Sequence, residues 1–429
     1  MATILSWFGV ARPAPALARH EVDVAIIGAG AAGISAARFL RDQRRSVAVL
    51  EASDRIGGRV HTDTSIFDVP YDMGAHWIHA AHGLTLLDLA RQNGFDPYPA
   101  NTDETLMIHG REATPVEYRE FDRAYDAFES AIKAAGRSGR DVAVADVLPD
   151  GHAAWRDTVS FILGPYACAK DLEDISTLDF WRSDERSDFY VKAGYGALVA
   201  GLAAGLPIRL NTPVLAVDRA SDRIVLTTER GSLSARRLLV TASTNVLADG
   251  IIRFSPELPA GHAEALAGLR LGTYNHVALE LPGNPLGFER DAPVYLHREG
   301  RRNMGLLARV AGSDLYLADA AGGYGAELER EGPEASVAAA VDLLADAFGN
   351  DIRARVKRSH ATTWGRSPYI RGAYSCAAPG RADARRTLAK PIDSQIWIAG
   401  EATSPNLWGT VGGAWIEGER AAREIVASL

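Results

Sequence analysis

Residues 22–52, "VDVAIIGAGAAGISAARFLRDQRRSVAVLEA", constrain the fold more than any other stretch. Val22, Val24, Ile26 and Ile27 form a short apolar run of the kind that fills a buried parallel strand. "ISAARFLRD" changes to helical spacing, and "SVAVLE" returns to strand, so the stretch reads as one βαβ unit. Between strand and helix stands Gly28-x-Gly30-x-x-Gly33. The first glycine permits a tight turn, the second lets backbone approach a pyrophosphate, and the third lets helix and strand pack closely. Phosphate oxygens would be held by the helix N–H groups. Glu51, at the end of the second strand, is placed to accept from a ribose hydroxyl and would repel a 2′-phosphate. In isolation the glycine motif could be a structural turn; between this strand and this helix, with Glu51 following, it reads as a dinucleotide site. Just beyond, "ASDRIGGRVHT" brings Gly57 and Gly58 between Arg55 and Arg59, a second backbone approach point flanked by cations.

A chain of 429 residues has material for two or three domains. Residues 83–192 carry amphipathic helical stretches such as "VEYREFDRAYDAFESAIKAAG". Strands return at "IRLNTPVLAVDR", "RIVLTTER" and "SARRLLVTAS", a mixed region follows, and the chain closes on strand "QIWIAG" and a helix. The expected fold class is α/β: a Rossmann-like nucleotide domain, discontinuous over 21–82, 193–250 and 388–429, with a helical insertion at 83–192 and an α+β, mixed-sheet substrate domain at 251–387. Residues 1–20 read as a flexible leader; a secretory signal is the competing reading, but the stretch lacks a positive n-region. The formal net charge of −8 disfavours nucleic acid as a partner. No apolar run approaches the roughly 20 residues of a spanning helix, and a cytoplasmic location is expected. Cys168 and Cys376 are far apart and in no CxxC pattern, against a disulfide framework or a thiolate zinc site. His76, His79 and His82 in "HWIHAAH" invite a metal reading, but this spacing does not converge on one helix face, and no metal is expected.

Five motifs in order resemble the FAD-dependent amine oxidases, a family of monoamine oxidases, polyamine oxidases and histone demethylases. They are "GAGAAG" with "EASDRIGGRV", then "MGAHWIH", "VTASTNVLADGIIRFSPELP", "WGRSPYIRGAYSCAAPG" and "IWIAGEATSPNLWGTVGGAWIEGERAA". The resemblance implies non-covalent FAD, because Ala373 stands where monoamine oxidases carry the linking cysteine. It places Glu51 at the adenosine ribose, Arg59 near the diphosphate and Val214 at the adenine side. Gly74, Ala75 and His76 would pass the flavin ring, Glu401 would sit at the ribityl–diphosphate end, and Val411 would present its N–H to the ring. Ala32, Ala52, Gly58, Gly400 and Thr410 complete the implied cofactor contacts. Tyr374 and Trp364 are implied as aromatic walls of the substrate pocket. His79 is the implied ligand of a distal amine or hydroxyl, with Trp77, Thr410 and Trp408 beside it. Thr410 replaces the second cage tyrosine of monoamine oxidases, which points toward polyamine-type members.

The family's lysine near flavin N5 is replaced by His276 in "LGTYNHVALEL". A histidine there could hold the same water and shuttle a proton. The implied reaction is hydride transfer from an amine to FAD, imine hydrolysis to a carbonyl and reduction of O2 to H2O2, on a polyamine or related amine. Two alternatives stay open within the superfamily: an amine dehydrogenase, and an amino-acid oxidase in which Arg366 or Arg371 clamps a carboxylate. A flavin-binding scaffold without turnover and a lipid-acting desaturase relative are further readings, the last lacking a clear apolar docking patch.

Overall fold

The computed structural model describes residues 17–80, 85–183, 187–219 and 222–429. The βαβ unit forms as expected: strand Leu17–Ile27, helix Ala31–Asp42 and strand Val47–Leu50. The first strand begins four residues before Glu21, so residues 17–20 belong to the sheet and not to a leader; residues 1–16 lie outside the described part. Val24, Ala25 and Ile26 are fully buried, as a strand with neighbours on both sides requires. On one side Val24 pairs with Val47, and on the other with Arg237 of Gly231–Val240, both in parallel.

This sheet has eight strands, running Ile208–Arg209, Val47–Leu50, Leu17–Ile27, Gly231–Val240, Ile224–Thr228, Val214–Asp218 and Arg253–Ser255, with Ile396–Ile398 also pairing with Gly231–Val240. The C-terminal helix Val411–Ser428 packs on the first helix, and a Cβ on Gly418 would stand 2.1 Å from the Ala32 carbonyl oxygen, which accounts for glycine there.

A second sheet of seven strands runs Arg358–Ala361, Tyr274–Glu280, Leu315–Ala321, Gly305–Ala308, Ala292–Leu296, Thr105–Ile108 and Arg111–Glu112. Two boundaries therefore differ from expectation. Arg253–Ser255 joins the first sheet although it follows residue 250. Thr105–Ile108 joins the second although it lies in the stretch read as helical, because Leu106 and Ile108 alternate inward and the turn at Gly110 is too close for a helix.

Helix Pro115–Arg137 dominates that middle stretch. Thr114 and Glu117 form a reciprocal capping box, Pro115 occupies the first helical position, and Phe121, Ala124, Phe128, Ile132 and Ala135 make its buried stripe. Helix Arg156–Phe161 continues into a π-turn, Ile162–Tyr166, and Thr177–Arg182 follows.

Candidate active site

The strands ending at Ile27, Leu50 and Val240 bring Gly28, Glu51 and Thr241 to one edge of the first sheet. That is the carboxyl edge where open α/β sheets bind ligands. All three residues line a cavity of about 1260 Å³ that continues between the two sheets to Tyr374 and Tyr166. Its size exceeds that of an ordinary small-molecule pocket, roughly 300–1,000 Å³, and leaves room for a dinucleotide together with a small substrate.

The cradle fits a flavin dinucleotide. Gly30 and Gly57 are bridged, so the two glycine loops meet, and a Cβ on Gly58 (φ +59°) would lie 3.6 Å from Gly30 Cα. Helix Ala31–Asp42 has no side-chain cap and no acidic residue in its first turn, so its first N–H groups are free for an anion. Gly33 is the one expected cofactor residue that does not line the cavity. A Cβ there would come within 2.0 Å of the Gly28 carbonyl oxygen, so its part is close packing of the turn. Ala32, Ala52, Gly58, Arg59, Gly74, Ala75, His76, Val214, Gly400, Glu401, Thr410 and Val411 all line the wall. Glu51 is buried and accepts from the Ala29 N–H (2.7 Å) and the Ser53 hydroxyl (2.7 Å).

Glu401 joins three segments. It accepts from Arg59 Nη1 (2.8 Å), the Ser375 hydroxyl (2.7 Å) and the Gly409 N–H (3.0 Å). Burial raises its carboxyl, but the Arg59 and Arg385 charges outweigh that and hold it below the ordinary range. Arg385 is itself buried, pairs through two nitrogens with Asp179, and stands over the Trp408 ring at 5.0 Å. Neither Arg385 nor Asp179 was singled out from the sequence.

The strand Tyr274–Glu280 places His276 in the wall, 3% exposed. Nδ1 is 2.5 Å from Asp319 Oδ1 and Nε2 is 2.8 Å from the Gly74 carbonyl oxygen. Both ring nitrogens are thus committed to protein groups. This departs from the expectation that His276 holds a water as the family's lysine does: the ring braces the Gly74 loop.

Tyr374 lines the cavity, its hydroxyl donating to the Ala167 carbonyl (3.2 Å). Its ring neighbour is Tyr274, at 6.0 Å between centroids, followed by Tyr166 at 6.1 Å from Tyr274 and Tyr295 at 5.8 Å from Tyr166. Trp364, expected as the other wall, is not in this row. Its Nε1–H donates to Met73 O (2.9 Å), and its ring packs so tightly on Gly74 that a Cβ there would lie 2.9 Å away. Trp364 lines the cavity and also braces the Gly74 loop, while Tyr274 is the ring beside Tyr374. Period-two spacing, which puts Tyr274 on the face of His276, was the available signal. Tyr166 had none, because the π-turn breaks the helical period.

Thr410 differs from expectation as well. Its hydroxyl accepts from the Gly413 N–H (2.9 Å) and donates to Leu407 O (2.7 Å), so it caps helix Val411–Ser428 and its one proton is committed to the protein. Trp408 lines the cavity, and its Nε1–H donates to Asp179 O (3.3 Å). His79 lies on strand Ile78–Ala80 directly opposite Asp188, with Nδ1 2.7 Å from the carboxylate, and Trp77 stacks on it at 6.5 Å. Asp188 and Glu104 line the same end, and burial raises the Glu104 carboxyl. His76 is buried against Tyr190, while His82 lies outside the described residues. Among the described residues no group of three or more His, Cys, Asp or Glu side chains could hold a metal ion, and no helix is long and apolar enough to cross a membrane.

Comparison with known proteins agrees with this geometry. The family described as flavin containing amine oxidoreductase matches residues 31–180 and 148–426. Polyamine oxidase 4 of Oryza sativa subsp. japonica is 29% identical over 94% of this chain and 88% of its own length. Human lysine-specific histone demethylase 2 is 26% identical over 95% of this chain but only 54% of its own. Among solved structures, wild-type putrescine oxidase bound to putrescine superimposes with a TM-score of 0.80 at 21% identity, covering 96% of this chain and 100% of that one. Cyclohexylamine oxidase from Brevibacterium oxydans IH-35A gives 0.78 at 24%, covering 95% and 99%. The chain belongs to the flavin containing amine oxidoreductases and is an FAD-dependent enzyme that oxidises amines.

Proposed function

We propose that the substrate is a diamine or polyamine, oxidised at a carbon next to nitrogen, with O2 as electron acceptor and H2O2 and an imine-derived carbonyl as products. The observation that carries this reading is the charge of the substrate end. Tyr374, Tyr274 and Tyr166 form its wall, Asp188 and Glu104 contribute carboxylates, and among the described residues the only Lys or Arg side chains lining the cavity, Arg55 and Arg59, lie at the glycine-loop end. Tyrosine faces attract an ammonium, and carboxylates hold a second one away from the reacting carbon. His79 takes part through Asp188, since the carboxylate of that pair is the group that binds a cation.

Non-covalently bound FAD supplies the acceptor for the hydride. The residues supply the rest. Burial keeps the hydroxyls of Tyr166, Tyr274 and Tyr374 as neutral phenols, so the wall adds no charge beside the reacting nitrogen. An apolar wall also favours the neutral amine, the form that gives up hydride. Arg366 donates to Arg330 O and Arg371 to Asp249; neither lines the cavity, so neither supports the amino-acid reading.

The test is a panel of putrescine, spermidine, spermine, a monoamine of matched chain length and L-amino acids, read by anaerobic flavin bleaching and by peroxide release in air. The expected result is a KM for at least one diamine or polyamine about tenfold below that of the matched monoamine. Equal use of the monoamine, or preference for an amino acid, overturns the proposal. Bleaching without peroxide in air overturns O2 as acceptor alone.

A further inference from the structure

We propose that Asp319 is a positioning residue that keeps His276 doubly protonated, so that the strand Tyr274–Glu280 presents a buried imidazolium to the cavity wall at the Gly74 loop. The proposal rests on the reading that Gly74, Ala75 and His76 pass the flavin ring.

Hydrogen-bond polarity carries the argument. A carbonyl oxygen only accepts, so the contact with Gly74 O at 2.8 Å requires a proton on His276 Nε2. If that were the only ring proton, Nδ1 would aim a bare lone pair at Asp319 Oδ1, 2.5 Å away, so a proton lies between them. It belongs to the imidazole, the stronger base by about 2.5 units in ordinary values. The remaining oxygen of Asp319 accepts from the Tyr274 hydroxyl at 2.9 Å, so both carboxylate oxygens are engaged as acceptors. His276 and Asp319 are directly opposite across the two antiparallel strands, so the backbone register fixes the pair.

The groups around the pair are few. Besides Asp319 and the Gly74 carbonyl, Asp72 acts on His276 through its charge, and Thr362 accepts from the His276 backbone N–H at 2.9 Å. Tyr166 and Tyr374 face Asp319 as neutral phenols. Burial opposes the imidazolium, yet Asp319 and the two hydrogen bonds raise the histidine above its ordinary value. A lysine would be a mobile point charge with spare donors. The histidine is a planar cation held at both ends. With Asp319 the pair has no net charge, but its positive end, the Nε2–H, is turned to the Gly74 loop and its negative end away from it, a fixed dipole that favours a bound group that carries negative charge over the same group neutral.

Nitrogen NMR of the FAD-loaded, 15N-histidine-labelled protein tests this, with His276 assigned by its loss in His276→Gln. Imidazolium shifts that persist through neutral pH are expected. In Asp319→Asn the proton affinity of His276 falls by about tenfold or more, and the midpoint potential of the bound flavin moves negative. Tyr274→Phe, which leaves the carboxylate in place, gives smaller changes in the same directions and serves if Asp319→Asn does not fold. Neutral-imidazole shifts in the wild type at pH 7, or a potential unchanged in every folded variant, overturn the proposal. None of these readings uses an amine, so failure of the amine panel leaves them standing, and their failure leaves the substrate reading standing.

Discussion

Glu401 shows how one buried carboxylate can tie together several segments of the cavity wall. Arg59 reaches it from the second glycine loop and also donates to Ala373 O, while Ser375 reaches it from beside Tyr374. Of its four acceptor contacts, two come from Ser375, one from the Gly409 N–H and one from the half-buried Arg59, and Glu401 itself is 4% exposed. Leaving one member of such a network unpaired costs more than the network contributes as a whole. The sign of the pH dependence follows from its lowered carboxyl. A group whose folded value lies below its ordinary one, about 4.3 for Glu, stabilises fully above that value. The contribution is lost as pH falls through the folded value. Glu401→Gln is therefore expected to be less stable than wild type at pH 7, with the gap narrowing as pH drops below about 4. Urea midpoints measured across that range check it; a gap constant with pH would show that the ionised carboxylate is not what stabilises.

At the scale of elements, helix Val411–Ser428 depends on two positions. Thr410 caps it, and Gly418 admits the Ala32 carbonyl at a distance no Cβ allows. Thr410→Ala is expected to cost about 1 kcal/mol, with Thr410→Ser near neutral and the KM for amine unchanged within about twofold. Gly418→Ala should cost more, on the order of 1–3 kcal/mol, because backbone must move. Thermal unfolding of the FAD-loaded variants separates them, and a KM rise in Thr410→Ala without loss of stability would return Thr410 to the substrate side. The same helix shows what a sequence can and cannot express. Its Gly-rich start and the first βαβ unit were legible because local chemistry sets them: turn glycines, an uncapped helix, a buried apolar strand. The capping part of Thr410 is not legible, because a capping hydroxyl and a pocket hydroxyl look alike until the Gly413 N–H is seen pointing at it. Tyr274 is not legible as the neighbour of Tyr374 for a different reason: Trp364 lines the same cavity. Both are aromatics near the site, and only the pairing of Tyr274–Glu280 with Leu315–Ala321 decides which ring joins Tyr374. Asp319, Asp179 and Arg385 left no local trace, since their partners lie 43 and 206 residues away in the chain.

Over the whole molecule, charge is arranged in the same sense as in the pocket. The chain carries a formal net charge of −8, and the proposed substrate end adds Asp188 and Glu104 with no lysine or arginine among the described residues that line it. A negatively charged protein around a negatively lined cleft raises the local concentration of cations and speeds their capture. The attraction scales with substrate charge and is screened by salt, the Debye length shrinking from about 30 Å at 0.01 M to about 10 Å at 0.1 M. For a diammonium substrate, kcat/KM is expected to fall several-fold over that range, and for a monoammonium of equal length to fall less. The pocket carboxylates and the general field can be told apart. If Asp188 and Glu104 hold the distal ammonium, Asp188→Asn with Glu104→Gln raises KM for the diammonium selectively, by about tenfold, and leaves the salt dependence that the remaining surface generates. If the double variant loses salt dependence but keeps its preference for the diammonium, the two carboxylates guide approach and the second nitrogen is recognised elsewhere on the tyrosine wall. Steady-state rates for both substrates at the two ionic strengths decide between these outcomes.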